Sequence, residues 1–106
     1  MATQTKTRHA DPIAVDPKHY KVELENEQVR VLRITYGPGE KSVKHGHPAS
    51  VAICLTDADV RFTRPDGTSE ERRMKAGQVV TTPAEEHLPE NLGDRPFEII
   101  LVELKK

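Results

Sequence analysis

From Tyr20 onward the apolar residues recur at every second position, in short runs broken every eight to twelve residues or so by Gly, Pro, Asp or Asn. Successive side chains of a strand point to opposite faces, so this pattern specifies short antiparallel strands and leaves no room for a long helix. The candidates are Tyr20–Leu24, Val29–Tyr36, Ser50–Leu55, Val60–Arg64, Thr68–Met74, Val79–Thr82 and Phe97–Leu104. Between two of them lies Pro65-Asp66-Gly67. Proline presets one turn angle and glycine accepts a positive φ, which predicts a hairpin. Thr68–Met74 is rich in Glu and Arg and could be read as helix, but directly after a tight turn it reads better as a charged, exposed strand.

Phe97–Leu104 has Phe97, Ile99 and Leu101 on one parity and Ile100, Val102 and Leu104 on the other. Such a strand is expected to be buried on both faces, either between two facing sheets with a partner subunit behind, or at the centre of a barrel whose outer wall packs on something; a homodimer is the expectation. Residues 1–17 are polar, contain two prolines and show no sustained period, so they read as a mobile arm that orders only by leaning on the body or on a partner. Residues 18–106 form the domain.

Charge narrows the function. Sixteen Lys+Arg against seventeen Asp+Glu give a net charge of -1, with the signs interspersed. A nucleic-acid or anionic-membrane partner therefore has no electrostatic support. With only two Tyr, two Phe and no Trp, an aromatic stacking platform is also poorly supplied. One cysteine, Cys54, cannot form an internal disulfide, and the N-terminal stretch is too polar for a signal peptide or a membrane span, so the expected location is cytoplasmic.

Chemistry concentrates in the histidines. His45 and His47 lie two apart in Lys44-His45-Gly46-His47-Pro48, so on an extended chain both imidazoles aim to one side. A third ligand would come from elsewhere, and His87, in Glu85-Glu86-His87-Leu88-Pro89, is the natural source. Alone, His-x-His is a weak signal, equally satisfied by two solvated loop histidines.

The surrounding punctuation sharpens it. Gly39, His45 and His47 fit the pattern G-x5-H-x-H, and Gly77, Pro83, His87 and Asn91 fit, with one gap shortened, G-x5-P-x-G-x2-H-x3-N. In this order and spacing the chain resembles the cupin superfamily over roughly Tyr20 to Leu104. The resemblance implies an all-β fold, a small double-stranded β-helix or jelly-roll barrel, in agreement with the strand count. It also implies a divalent transition metal inside the barrel on His45, His47 and His87, with iron the first expectation and zinc, nickel, manganese or copper as alternatives.

The family's first motif also has a glutamate, and here it is missing: four residues beyond His47 stands Val51, with Ala52 beside it. The glycines expected at Ala58 and between Pro83 and His87 are absent too. Three readings follow. The centre is a three-histidine site resembling those of dioxygenase-type cupins; or Glu85 or Glu86 swings in as a replacement carboxylate; or the metal site has decayed and the barrel binds a small molecule or a partner. Three converging histidines without a metal would be unpaired polar groups, each costing roughly 1–3 kcal/mol, which favours the first. A site without the carboxylate suits a small chelating or anionic substrate.

Counting parity from Val51 puts Val51, Ile53 and Leu55 on the barrel's inner wall and turns Cys54 away from the metal as a small buried hydrophobe. His9 and His19 match no motif and read as surface histidines. Asn91 reads as a turn residue. Tyr36, Phe62 and Arg33 could be core or surface, because bulges leave strand parity open.

Overall fold

A computed structural model describes residues 10–105. Residues 10–17 of the expected arm lie against the barrel, with α1 at Pro12–Val15; the rest of the arm, including His9, lies outside the described residues. Nine strands follow: β1 (Tyr20–Glu25), β2 (Val29–Tyr36), β3 (His45–His47), β4 (Ser50–Cys54), β5 (Ala58–Thr63), β6 (Ser69–Met74), β7 (Val79–Thr82), β8 (Glu85–Asn91) and β9 (Phe97–Leu104). They make two facing sheets, one of five strands in the order β1-β2-β9-β4-β7 and one of four in the order β3-β8-β5-β6. Every pairing is antiparallel.

The core fills the space between the sheets. Leu32 on β2 faces Leu101 on β9, Ile34 faces Ile99, and Tyr36 faces Phe97, all buried, with the last two rings stacked at 5.0 Å. Val60, Ala58 and Met74 close the core from the other sheet. Each large side chain so buried contributes about 1.5–3 kcal/mol. The hairpin β5–β6 turns as expected: Gly67 takes φ 89°, and the Arg64 N–H donates to the Thr68 carbonyl at 2.8 Å. Its second strand, β6, is exposed and charged until Met74.

Several expectations need correction. Two strands were not foreseen: β3 has only three residues, and β8 contains Pro89. Proline removes a ladder donor, but Pro89 lies where β8 has run past β3, and its carbonyl on that side accepts from Ser42 N–H at 3.0 Å. On β4 the inward side chains are Ser50, Ala52 and Cys54, while Val51 and Ile53 are half-buried on the outer face and Leu55 is exposed. Parity counted from Val51, placed inward by its offset from His47, fails because β3 and β4 belong to different sheets, and the chain turns the corner at Pro48-Ala49. Cys54 therefore points inward, its Sγ 3.8 Å from Met74 Sδ.

Strand β9 is buried on its inner face only. Ile100 and Val102 are half-covered and Leu104 is exposed. His19 is no surface residue: it is 5% exposed, stacked flat on Tyr36 at 4.2 Å and held between the carboxylates of Asp16 and Glu40.

Candidate metal centre

Antiparallel pairing of β3 with β8 sets His45 directly opposite His87, and the pleat brings His47 to the same side as His45. The three rings stand edge to face with centroids 4.8, 5.0 and 5.2 Å apart. One nitrogen from each lies within 4.8 Å of the others. The three rings are nearly solvent-free, His45 entirely so.

Hydrogen bonds fix which nitrogen each ring offers. His45 Nδ1 is 2.9 Å from the Val43 carbonyl, which can only accept, so that nitrogen carries the proton and Nε2 presents a lone pair. His47 Nδ1 is 2.7 Å from a carboxylate oxygen of Glu103, which leaves its Nε2 free in the same way. His87 has no hydrogen-bond partner on either nitrogen. The Glu85 carboxylate comes to 3.3 Å from its Nδ1 but is out of line for a hydrogen bond. His45 Nε2 and both His87 nitrogens are buried polar atoms without partners. Those orphans fit a metal ion: a neutral imidazole lone pair is the donor such an ion requires. Burial, helped by the neighbouring histidines, pushes His45 down to about 4 and His87 down to about 2, so both are neutral at physiological pH.

His47 and His87 line a cavity of about 230 Å³. Most of its wall is apolar, formed by Ala52, Val60, Phe62, Val80, Phe97 and Leu101 among others. Phe62 stacks on His87 at 5.1 Å. Tyr20 presents its ring to His45 at 4.8 Å, and its hydroxyl is occupied by that of Tyr36 at 2.7 Å. Arg64, Glu70, Arg72 and Glu85 also line it, at partly exposed positions. Of the two candidate replacement carboxylates, Glu85 lines the cavity, whereas Glu86 sits on the opposite parity, beside Gly46. Of the two inward residues of β4 that flank the motif position, Ser50 and Ala52, Ala52 lines the cavity, and neither is a carboxylate.

Glu103 was not foreseen. It ends the inward series Phe97, Ile99, Leu101, Glu103 on β9, is 3% exposed, and bridges His47 to Arg30, its cross-strand neighbour, at 2.8 Å. Burial alone would raise its carboxyl, but the bonds to His47 and Arg30 hold it below the usual carboxylate value. The signal was there: it is the only ionisable group on the inward parity of an otherwise apolar strand.

Asn91 behaves as a turn clamp. Its Nδ2 donates to the carbonyls of Gly37 and Arg95 at 3.1 and 2.9 Å, and its Oδ1 accepts from Gly93 N–H at 2.8 Å.

An all-β double-layer barrel with three histidines converging inside it defines a class, and comparison with solved structures agrees. The chain is similar to a cupin domain from Bordetella pertussis Tohama I, at 27% identity and a TM-score of 0.76, covering 82% of this chain and 92% of that one. A Klebsiella pneumoniae protein with a double-stranded β-helix domain shares the fold at 23% identity and a TM-score of 0.64, covering 80% and 74%. Bacillus subtilis oxalate decarboxylase, whose Mn(II) centres have been studied, aligns at 25% identity and a TM-score of 0.57 over 73% of this chain and 22% of its own. No family profile and no curated protein sequence matches. The chain is a member of the cupin superfamily.

Proposed function

We propose that this cupin binds a divalent transition metal through Nε2 of His45, Nε2 of His47 and one nitrogen of His87, and acts as a dioxygenase-type enzyme on a small chelating or anionic substrate. The observation that carries the reading is the set of buried, unpartnered nitrogens on His45 and His87, clustered with His47 beside a largely apolar cavity that His47 and His87 line. A bound divalent iron would supply Lewis acidity and redox capacity, with coordination positions left open by the absence of a fourth protein ligand. The protein contributes orientation and exclusion of water. Phe62 and Tyr20 pack on His87 and His45, and the rest of the wall is mostly apolar, with Arg64, Glu70, Arg72 and Glu85 as its charged part. A substrate that fits carries one chelating head and an apolar body.

The test is oxygen uptake by the iron-reconstituted protein with diketones, thiols and small carboxylic acids. Uptake that disappears in a His45→Ala, His47→Ala, His87→Ala variant supports the reading. Ligand binding without uptake by any compound makes the protein a non-catalytic binding barrel instead.

The outer face of the five-stranded sheet supports a homodimer as part of the same proposal. Val31, Val102 and Val51 form one cross-strand row, and Ile100, Ile53 and Val79 the next. Contiguous apolar surface of this kind marks an interface. Val102→Lys, at the centre of the face, is expected to shift sedimentation from dimer to monomer.

A further inference from the structure

The segment before the first strand reaches the candidate centre three times. At its start, the Ala10 carbonyl accepts from Gly46 N–H at 2.8 Å, between the two histidines of β3. That strand is the edge of its sheet, so Ala10 satisfies a donor that the ladder leaves free. Next, Asp11 takes both terminal nitrogens of Arg30, at 3.0 and 2.9 Å, while Arg30 Nε donates to Glu103 at 2.8 Å and Glu103 accepts from His47 Nδ1 at 2.7 Å. Last, Asp16, 8% exposed, accepts from the Ser42 hydroxyl at 2.5 Å, and that hydroxyl lies 3.3 Å from His45 Nδ1. Two acids on one short segment thus each lead to the non-coordinating nitrogen of a different histidine.

We infer that residues 10–16 together with Glu103 form the outer layer of the metal centre, with Glu103 as the positioning residue that fixes the tautomer and ring orientation of His47. The inference rests on the three-histidine reading of the site. Its chemistry is general: a carboxylate accepting from one imidazole nitrogen makes the other a stronger and better-aimed donor, and losing such a partner costs about 10–100-fold in metal affinity. Geometry also gives the missing motif carboxylate a different place. The negative charge stands behind His47, one ring away from the metal position, where it moderates the charge of the centre without filling a coordination position.

The test uses the metal-stripped full chain titrated with Co(II), read by visible absorbance, alongside nitrogen-15 NMR of the histidine rings. Wild type is expected to bind cobalt and to show His47 with its proton on Nδ1. Glu103→Gln keeps an acceptor but removes the charge, and Glu103→Leu removes both. In variants that retain the wild-type circular dichroism, cobalt binding is expected to weaken about 10–100-fold. In Glu103→Leu the His47 proton should redistribute toward Nε2. Asp11→Asn, which retains the cap on Ile13 N–H, should weaken cobalt binding severalfold through the Arg30 relay. Arg33→Gln, whose ion pairs with Glu23 and Glu98 lie on the outer face, should leave it unchanged. Cobalt affinity within twofold of wild type in folded Glu103→Leu, with the His47 tautomer unaltered, overturns the positioning role alone. Failure of wild type to bind cobalt overturns the metal-centre reading and this inference with it.

Discussion

Two groups of charged residues on this barrel use the same side-chain types to different ends. On the β5–β6 hairpin, Arg64 and Arg72 share Glu70, and Arg61 pairs with Glu71, all substantially exposed. In the second group, Arg30, Glu103 and His47 form a chain in which Glu103 is 3% exposed and Asp11 terminates the row at the surface. Exposed pairs in high dielectric are screened by salt and offset by side-chain entropy, so the hairpin ladder keeps an edge strand soluble and adds little to stability. A buried carboxylate has lost its water and is stable only while its partners hold, which makes it an orienting device.

Breaking the buried row should have the largest effect. Glu103→Leu leaves Arg30 with one carboxylate partner and His47 with none, and is expected to lower unfolding free energy by about 3 kcal/mol in urea denaturation of the metal-free protein. Leu32→Ala, in the apolar half of the same interior, should cost a similar amount, about 2–5 kcal/mol, with no change in metal affinity. The pair of variants separates stability from site geometry.

Acid acts on the two buried histidines of the centre. His45 and His87 resist protonation in the fold, down to about 4 and about 2, whereas unfolded histidine protonates near 6.5. Below pH 6.5 the unfolded chain therefore binds more protons than the fold, and the metal-free protein loses stability progressively as the pH falls toward about 4. Urea midpoints measured from pH 7.5 to 4.5 test this, and His87→Asn should reduce the slope by about half. The smallest change belongs to the exposed ladder: Glu70→Gln should leave the thermal midpoint unaltered within error at physiological salt.

Much of the strand framework was legible because period two and the turn residues Pro65-Asp66-Gly67 are local signals. The convergence of His45, His47 and His87 was legible as well, from two motifs in the right order. What escaped were features set by the corner between sheets and by distant pairing. The inward parity of Ala52 and Cys54 depends on the turn at Pro48-Ala49, which resets the count from His47. The short strand β3 is defined by its partner β8 and carries no periodic pattern of its own. Burial of His19 follows from Tyr36 and Glu40 meeting it from elsewhere in the chain. Glu103 was accessible in principle, as the charged end of an inward apolar series, but its role needed the register that sets it across from Arg30.

The most direct measurement is elemental analysis of protein purified without a histidine tag, beside the His45→Ala, His47→Ala, His87→Ala variant. Near-stoichiometric iron or another divalent transition metal in the wild type, and none in the variant, is the predicted result. Wild-type protein that holds no metal even after anaerobic reconstitution with iron, zinc, manganese, nickel and copper would contradict the account.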